Sequence, residues 1–550
     1  MKYSRHLLAA LLALTVLGTG CKNYATVRDR KPIFVANTPA GEKIVQALKR
    51  PERTPEVQMG RFIDAAAVAA KVLEKNPKDA KALRDYNFAV SRLFDVLYKS
   101  DLKPWRAPVI CPGADGNWSF TVLTDGKPEH DPSNFRIMAA DRFQFRGSLV
   151  RERTVKEGLG APMVIASKGF DPTKFDPFIQ GKNVYYGITQ ILRFNGRNVT
   201  AAYVDPLATE DVKFGGHTFP VAADFTAPIA LALAELRPRR VEVKRMFDPG
   251  SFAASTRLAR LQPYDPKKIP VICIHGLGDS QATWAPMIES LRGDAVFRKN
   301  YQIWFFSYPT GLPYPLMAAV LRKKIDEINK FYPDHKPFVL IGHSMGGMIS
   351  RVLITDSGDK IWNAFFETPP DKTPLSPKAR AIITETLIFK HRPEVDRVIF
   401  ASASLRGAEM ASSFMGRLGS AIISVPSQFT GVGRELAELS KMRADGKRLR
   451  GMPTSIDALD PRNRFVTTIN TIPVVKGIPY HSIMGDRGRG GYRDHRRPQS
   501  SDGIVPFWSS HIEGAESELI VAHGHWTNQN PKAIAEVNRI LRQHLKETSR

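Results

Sequence analysis

The stretch FVLIGHSMGGMISRVL, residues 338–353, decides the fold of this chain. Its first four residues form a continuous apolar run, which predicts a strand buried on both faces. The residues from Met348 onward have the composition of a helix. Between them lies a Gly-x-Ser-x-Gly pattern, Gly342 to Gly346, which predicts a sharp turn that lifts Ser344 above the end of the strand. The flanking positions must lack side chains, because strand and helix approach each other closely there.

A strand, a serine at a strained turn and a helix in this order form a nucleophile elbow, and a second segment falls where such a site needs it. Residues 271–280, VICIHGLGDS, read as another buried strand that opens into a Gly-rich loop. Acyl transfer requires N–H donors for the negative charge that develops on a carbonyl oxygen. We expect these donors to be the backbone N–H groups of Leu277 and Met345. The alternative is that His275-Gly276 is an ordinary turn at the end of a strand.

A carboxylate candidate lies further along, in SDGIVP, residues 501–506. Asp502 followed by glycine and an apolar pair suits a carboxylate at the junction of a strand and a loop. The alternative is a plain turn aspartate.

The imidazole candidates lie in HGHW, residues 523–526, between the apolar run 519–522 and a predicted amphipathic helix that begins at Pro531. A histidine after a strand is often a surface or core residue, and two histidines in three residues also suggest a metal site. No Cys, His or Asp spacing nearby completes a metal site, so we expect neither a metal nor an organic cofactor. The chain order Ser, Asp, His is the α/β-hydrolase order and differs from the orders of the chymotrypsin and subtilisin scaffolds.

On these motifs, together with Tyr308-Pro309-Thr310-Gly311 and Arg406-Gly407, residues 265–545 resemble bacterial α/β-hydrolase lipases and esterases, including the branch related to glycosylphosphatidylinositol deacylases. The resemblance implies an α/β-hydrolase fold, a mostly parallel sheet flanked by helices. It also favours His525 over His523, because a Pro-initiated helix begins six residues after His525. Relatives carry Thr-Pro-His-Arg-Gly where this chain has Ser404-Leu405-Arg406-Gly407 after an apolar run, and this departure bears on the acyl pocket.

These residues predict a serine hydrolase of carboxylic esters, acting on lipid or other acyl esters. Ser344 is the expected nucleophile, His525 the general base, and Asp502 the group that orients the imidazole. An acyltransferase or thioesterase would use the same triad. A non-catalytic envelope protein that retains the fold is the remaining alternative. The sequence does not indicate an oligomeric state.

The N-terminus predicts export. Basic Lys2 and Arg5 precede an apolar run from Leu7 to Leu17 that is too short to span a bilayer, which is typical of a signal peptide. The sequence LGTGC ends at Cys21 and resembles a bacterial lipobox, although a glycine stands where a bulky apolar residue is usual. We expect an envelope lipoprotein anchored through acyl chains on Cys21, in the outer membrane of a double-membrane bacterium. Simple secretion is the alternative.

Composition is ordinary apart from charge, with 79 Lys and Arg against 54 Asp and Glu and a formal net charge of +25. A positive surface attracts anionic lipid headgroups, but it can also be a solvated surface without a partner. The exported location and the missing aromatic-basic interleaving argue against nucleic acid. Beyond Cys21 only Cys111 and Cys273 remain, so a disulfide framework is excluded, whereas a single bridge between them is not.

The 550 residues divide into a signal peptide (1–21), a tether (22–55), a helical hairpin (56–100), a β-rich region (101–245) and the catalytic domain (246–550). The β-rich region could extend the hydrolase sheet. Within the catalytic domain, apolar residues over 405–475 predict either a mobile lid or a packed helical cap. The Arg/Gly stretch 486–493 is interpreted as a basic loop at the rim of the site rather than an RNA-binding tail.

Overall fold

The computed structural model describes residues 23–30, 32–49, 51–52, 54–126, 131–168, 171, 176–179, 183–408, 431–432, 434–436, 454–488 and 501–548. The signal peptide and Cys21 lie outside these ranges. So do most of the expected lid or cap at 405–475 and residues 489–493 of the Arg/Gly stretch.

The described chain folds into two compact units. The first unit comprises residues 23–236 and 289–299, and the second comprises residues 237–288 and 300–550. The boundary after Leu236 precedes the expected start of the catalytic domain at 246. The return of residues 289–299 to the first unit was not expected from the sequence.

The first unit contains helices and short strands. Its helices are α1 (Pro39–Lys49), α2 (Pro55–Lys75), α3 (Ala80–Leu97) and α4 (Ala227–Leu236). Its strands are β1 (Thr26–Asp29), β2 (Val109–Gly113), β3 (Gly116–Leu123), β4 (Phe135–Ala139), β5 (Phe143–Arg146), β6 (Val155–Lys156), β7 (Ala161–Ser167), β8 (Tyr185–Asn195), β9 (Asn198–Val204), β10 (Asp211–Phe214), β11 (His217–Pro220) and β12 (Ala223–Asp224). Short 3-10 turns span Pro132–Asn134 and Ala140–Arg142.

Helices α1 to α3 share one hydrophobic core with a six-stranded sheet of order β2-β3-β9-β8-β7-β4. Phe62, Leu73 and Phe94 from the helices and Phe120 and Leu192 from the sheet are buried in that core. The hydroxyl of Tyr86 in α3 donates to the Leu192 carbonyl at 2.6 Å and accepts from the Leu192 N–H at 2.8 Å. The hairpin expected at 56–100 is therefore present as α2 and α3, packed onto a sheet rather than standing alone.

Two expectations for this region are wrong. The segment 22–55 is not a tether, because β1 pairs antiparallel with β5, from Thr26 opposite Arg146 to Asp29 opposite Phe143, and α1 contributes Ile44 to the core. The β-rich region does not extend the hydrolase sheet, because its strands form their own six-stranded sheet and three two-stranded ones.

The second unit is built on strands β13 (Arg257–Arg260), β14 (Ile269–Ile274), β15 (Tyr301–Ser307), β16 (Phe338–His343), β17 (Val395–Ala401), β18 (Tyr480–Gly485) and β19 (Ser517–Val521). The helices of this half of the chain are α5 (Arg239–Phe247), α6 (Ala285–Gly293), α7 (Ala295–Asn300), α8 (Tyr314–Phe331), α9 (Met345–Leu353), α10 (Lys360–Phe365), α11 (Pro377–Leu387), α12 (Ser455–Ala458), α13 (Arg464–Ile469), α14 (Phe507–Ser510) and α15 (Pro531–Thr548). Three 3-10 turns span Pro249–Ser255, Gln281–Trp284 and Thr527–Gln529. In the part of the chain that is described, no helix combines the length and apolarity needed to cross a bilayer.

The seven strands form one sheet in the order β13-β15-β14-β16-β17-β18-β19. All neighbours are parallel except β13, which runs antiparallel to β15 at one edge. Every residue of β14, β15 and β16 is buried, as their continuous apolar sequences predict. Because carboxyl ends of parallel strands meet at one edge of the sheet, the segments that follow β14, β16, β17 and β19 are brought together.

Candidate active site

Ser344 lies between the last residue of β16 and the first residue of α9, with φ 55° and ψ −122°. A positive φ is strained for a residue with a side chain, and strain of this kind is concentrated at functional sites. The Ser344 N–H donates to the Ala401 carbonyl at 3.0 Å, and its carbonyl accepts from the Gly347 N–H at 2.9 Å. The backbone therefore holds the serine in this conformation from both sides.

The glycines of the motif are required by close packing around the turn. A Cβ at Gly342 would lie 2.5 Å from the Ser350 hydroxyl, and one at Gly346 would lie 2.1 Å from the carbonyl oxygen of Ile274 in the neighbouring strand. Neither distance is possible for a real side chain. The start of α9 thus approaches the sheet more closely than any residue other than glycine allows.

The structure brings Ser344, His525 and Asp502 into one hydrogen-bonded chain. His525 Nε2 lies 2.9 Å from Ser344 Oγ, and His525 Nδ1 lies 2.8 Å from Asp502 Oδ2. The other carboxylate oxygen of Asp502 accepts from the N–H groups of Ile504 at 2.9 Å and Val505 at 2.7 Å. These two bonds fix the orientation of the carboxylate, so that Oδ2 faces the imidazole.

Burial and mutual contact set the charge state of this pair. Burial alone would raise the pKa of Asp502. The hydrogen bond and charge of His525 and the N–H groups of Val505 and Ile504 outweigh burial and hold the pKa of this carboxyl below its ordinary value. Burial lowers the pKa of His525, and the hydrogen bond and charge of Asp502 offset only part of that shift. Near neutral pH the site therefore holds a carboxylate and a neutral imidazole, which can accept a proton from a hydroxyl.

Residues 275–280, the glycine loop, follow β14 and lie against the serine. A Cβ on Gly276 would come within 2.9 Å of Ser344 Cβ, so the main chain of the loop passes directly beside the serine. Leu277, whose N–H is an expected donor, is the next residue along the chain. The Tyr308 hydroxyl donates to the His275 carbonyl at 2.6 Å, and the Gly278 N–H donates to Thr310 Oγ1 at 3.1 Å. The stretch 308–310 singled out in the sequence thus supports this loop.

Met345 is the first residue of α9, and the N–H groups of the first turn of a helix have no acceptor within the helix. Together with Leu277, it gives the main chain near Ser344 two candidate donors for a developing oxyanion. Glu242 in α5 accepts from the Ser280 hydroxyl at 2.5 Å and so fastens the far end of the glycine loop.

His523, the first histidine of its motif, does not contact the serine. It is half-buried, and its Nδ1 lies 3.1 Å from the Gly524 carbonyl oxygen. Cys273 and Cys111 are both buried free thiols. Within the described ranges, no three His, Cys, Asp or Glu side chains are grouped so as to hold a metal ion.

Arg406, at the position where the family resemblance is only partial, lies beside the site rather than in it. Its guanidinium donates to the carbonyl of Trp508 at 2.8 Å and to the carbonyl of His511. Its main-chain N–H donates to Ser509 Oγ at 3.2 Å. These bonds hold both ends of α14, which begins directly after the turn that carries Asp502. The sequence pattern located this residue but not its contacts.

Two residues near the site make contacts that no sequence pattern indicates. Ser402, after β17, has φ 45°, and its hydroxyl lies 3.1 Å from Thr527 Oγ1. His343, the variable position of the elbow motif, has its Nε2 2.9 Å from the carbonyl oxygen of His525. Both contacts join positions more than 100 residues apart, so only the fold reveals them.

Comparison with known proteins gives a family match for the second half of the chain. Residues 271–537 match the Alpha/beta hydrolase family. No curated protein matches the sequence. The α/β-hydrolase fold expected from the motifs is confirmed by this match and by the sheet described above.

Among solved structures, the chain is similar to the mature lipase BlEst2 of Bacillus licheniformis, with 17% identity over 52% of this chain and 97% of that chain and a TM-score of 0.32. It is also similar to lipase 1 of Pelosinus fermentans, with 14% identity over 48% and 93% and a TM-score of 0.29. The phospholipase PlaB of Legionella pneumophila is 14% identical over 44% of this chain and 45% of that chain, with a TM-score of 0.26. Lipases are thus among the solved structures to which the chain is similar.

Proposed function

We propose that this protein is a serine hydrolase that cleaves carboxylic esters through an acyl-enzyme intermediate. The single observation that carries the proposal is the hydrogen-bonded chain from Ser344 through His525 to Asp502 at a strained strand-to-helix turn. A neutral imidazole between a hydroxyl and an ionised carboxylate is the arrangement that activates a serine oxygen.

The roles follow from the atoms. Ser344 Oγ attacks the ester carbonyl carbon while its proton passes to His525 Nε2, and Asp502 stabilises the imidazolium through Nδ1. The tetrahedral oxyanion accepts hydrogen bonds from the N–H groups of Leu277 and Met345, each contributing on the order of 3 kcal/mol to the barrier reduction. His525 then protonates the leaving alcohol oxygen, and the carbon–oxygen bond breaks. A water molecule next attacks the acyl-enzyme with the same proton transfers through His525, which releases the acid and restores Ser344.

Lipid acyl esters are the substrate class we place first. Trp526, beside His525, keeps 43% of its surface exposed, and an exposed indole next to the base offers apolar contact to an acyl chain. An N-terminal acyl anchor would also keep the enzyme at a membrane. The partial resemblance to the glycosylphosphatidylinositol deacylase branch is compatible with this class.

The test uses the full-length protein with a fluorophosphonate probe and with p-nitrophenyl esters of short and long acyl chains. We expect covalent labelling that maps to Ser344, hydrolysis of the esters, and loss of both in Ser344→Ala and of hydrolysis in His525→Ala. His523→Ala is the matched control, because it removes an imidazole from the same loop without touching the serine, and it should retain activity. Labelling of Ser344→Ala at another serine would contradict the assignment.

Product analysis separates hydrolysis from acyl transfer. Release of free acid in the presence of a competing alcohol or thiol supports hydrolysis, whereas predominant formation of a new ester or thioester contradicts it. A folded protein that neither labels nor turns over any ester contradicts the enzyme proposal as a whole.

We further propose that the protein is exported and anchored to the bacterial envelope through acyl chains on Cys21. The proposal rests on the basic start, the short apolar run and the cysteine after Gly20. Growth with labelled palmitate should mark the wild-type protein and not Cys21→Ser. A palmitate-free protein recovered from the medium would favour simple secretion.

A further inference from the structure

His343 is the residue before the serine, and it is buried with only 1% of its surface exposed. Its Nε2 lies 2.9 Å from the main-chain carbonyl oxygen of His525. A carbonyl oxygen only accepts hydrogen bonds, so His343 Nε2 carries the hydrogen and donates it. The centres of the two imidazole rings are 4.9 Å apart. The elbow that carries the serine is thereby bonded to the backbone of the histidine that faces the serine.

The other side of the His343 ring faces the buried side chain of Asp279. Nδ1 lies 3.5 Å from Asp279 Oδ2, too long for a strong hydrogen bond but within range of an electrostatic contact. The Thr283 hydroxyl donates to the same carboxylate oxygen at 3.2 Å and so holds it in place. Asp279 belongs to the glycine loop, two residues after Leu277, so the His343 ring lies between that loop and His525.

A second set of contacts fastens the rest of the loop that carries His525. Asn528 Nδ2 donates to the Thr283 carbonyl at 3.2 Å, and Thr527 Oγ1 lies 3.1 Å from Ser402 Oγ. Residues 525–528 are therefore attached to the segments that follow β14, β16 and β17. The bond from His343 reaches the main chain of His525 itself, whose carbonyl also accepts from the Thr527 N–H of its own loop at 2.9 Å.

From these contacts we propose that His343 is a positioning residue, which holds His525 Nε2 at the correct distance from Ser344 Oγ by donating a hydrogen bond to the His525 carbonyl. The inference rests on the proposed function, because it assigns a role within the same site. A displacement of about 1 Å at a reacting group can cost on the order of 100-fold in rate. A bond that fixes the backbone of the base is thus expected to affect the chemical step rather than substrate binding.

The test compares two replacements of nearly equal length and volume. The amide nitrogen of His343→Gln occupies the place of Nε2 and can still donate to the His525 carbonyl, whereas His343→Met fills the space without a donor. In the full-length protein we expect kcat of His343→Met for a short p-nitrophenyl ester to fall by roughly 10- to 100-fold with KM unchanged. For His343→Gln we expect kcat within about threefold of wild type, and we expect parallel changes in the rate of fluorophosphonate labelling.

A purely structural role makes a different prediction, because both variants would then lose activity in proportion to the fraction unfolded. Equal kcat values for the Gln and Met variants, or a loss that appears only in KM, would overturn the positioning role. Thermal unfolding is measured alongside, and if His343→Met does not fold, His343→Asn takes its place, since its shorter amide cannot reach the carbonyl. Failure of the proposed function is recognised separately, because Ser344→Ala would then retain the labelling and activity of wild type.

Discussion

The carbonyl oxygen of Ile274 lies where a side chain at Gly346 would have to be, 2.1 Å from the position of a Cβ. This contact joins the end of β14 to the first turn of α9. It therefore ties the start of the glycine loop to the residue two positions after Ser344.

Gly346→Ala should consequently damage both folding and chemistry. The added methyl group meets backbone atoms that cannot rotate away, so we expect the free energy of unfolding to fall by more than about 3 kcal/mol. Thermal or urea unfolding and soluble yield are the measurements. Gly431→Ala is the matched control, since a Cβ there meets no atom of the described residues within 4 Å. A Gly346→Ala protein as stable as wild type would contradict the packing described for the elbow.

Asp502→Asn should preserve the fold and remove most of the activity. The amide cannot stabilise the imidazolium and can favour the wrong tautomer of His525, so kcat should fall by roughly 10³- to 10⁴-fold. Steady-state kinetics with a short ester and circular dichroism test both parts. Asp371→Asn, an exposed aspartate of the same unit, should change neither. An Asp502→Asn enzyme within tenfold of wild type would mean that another carboxylate supports the imidazole.

The pH profile should have its acid limb below pH 6.5. Burial lowers the pKa of His525 from that ordinary value, with partial compensation by Asp502, so the imidazole stays neutral and competent as a base until the pH falls through the lowered pKa. We expect kcat/KM to be constant above that limb and to fall tenfold per pH unit below it. In Asp502→Asn the compensating charge is gone, so the inflection should move to still lower pH. An inflection above pH 7 would contradict the environment described for His525.

Arg406→Met should loosen the segment that follows Asp502. It removes charge-assisted hydrogen bonds to the carbonyls of Trp508 and His511, and we expect a loss of about 2 kcal/mol in stability. Because α14 begins directly after the aspartate turn, kcat should fall by about tenfold as well. Differential scanning calorimetry and ester kinetics measure these effects. Arg462→Met, which removes only an exposed ion pair with Asp460, should leave the melting temperature unchanged.

The sheet of the second unit could be predicted from sequence because its signals are local. The apolar runs at 271–274 and 338–341 became strands with every residue buried, and the motif between β16 and α9 located Ser344 at the turn. The chain order and the following glycine favoured Asp502, and the family resemblance, with Pro531 six residues later, favoured His525; the structure places His525 in contact with both Asp502 and Ser344. Their catalytic roles stay predictions until activity is measured.

The remainder depends on contacts between distant positions. The strand at 26–29 is recognisable only through its partner at 143–146, so the sequence alone predicts a tether there. The role of His343 depends on a carbonyl 182 residues away. The alternation of side chains along a strand does not reveal which sheet the strand joins, so a separate six-stranded sheet cannot be distinguished from an extension of the hydrolase sheet by sequence alone.

The chain enters the second unit after Leu236, returns to the first for residues 289–299 and leaves it again. Three peptide connections within residues 23–548 therefore link the two units, and a single protease cut at residue 236 would divide the first unit between the two fragments. A fragment that begins at residue 237 would carry the 289–299 segment without the chain it folds with. Inserting a fusion partner after residue 236 keeps residues 23–236 in the chain, whereas truncation there removes them. Insertion therefore leaves residues 289–299 with the chain that they fold with.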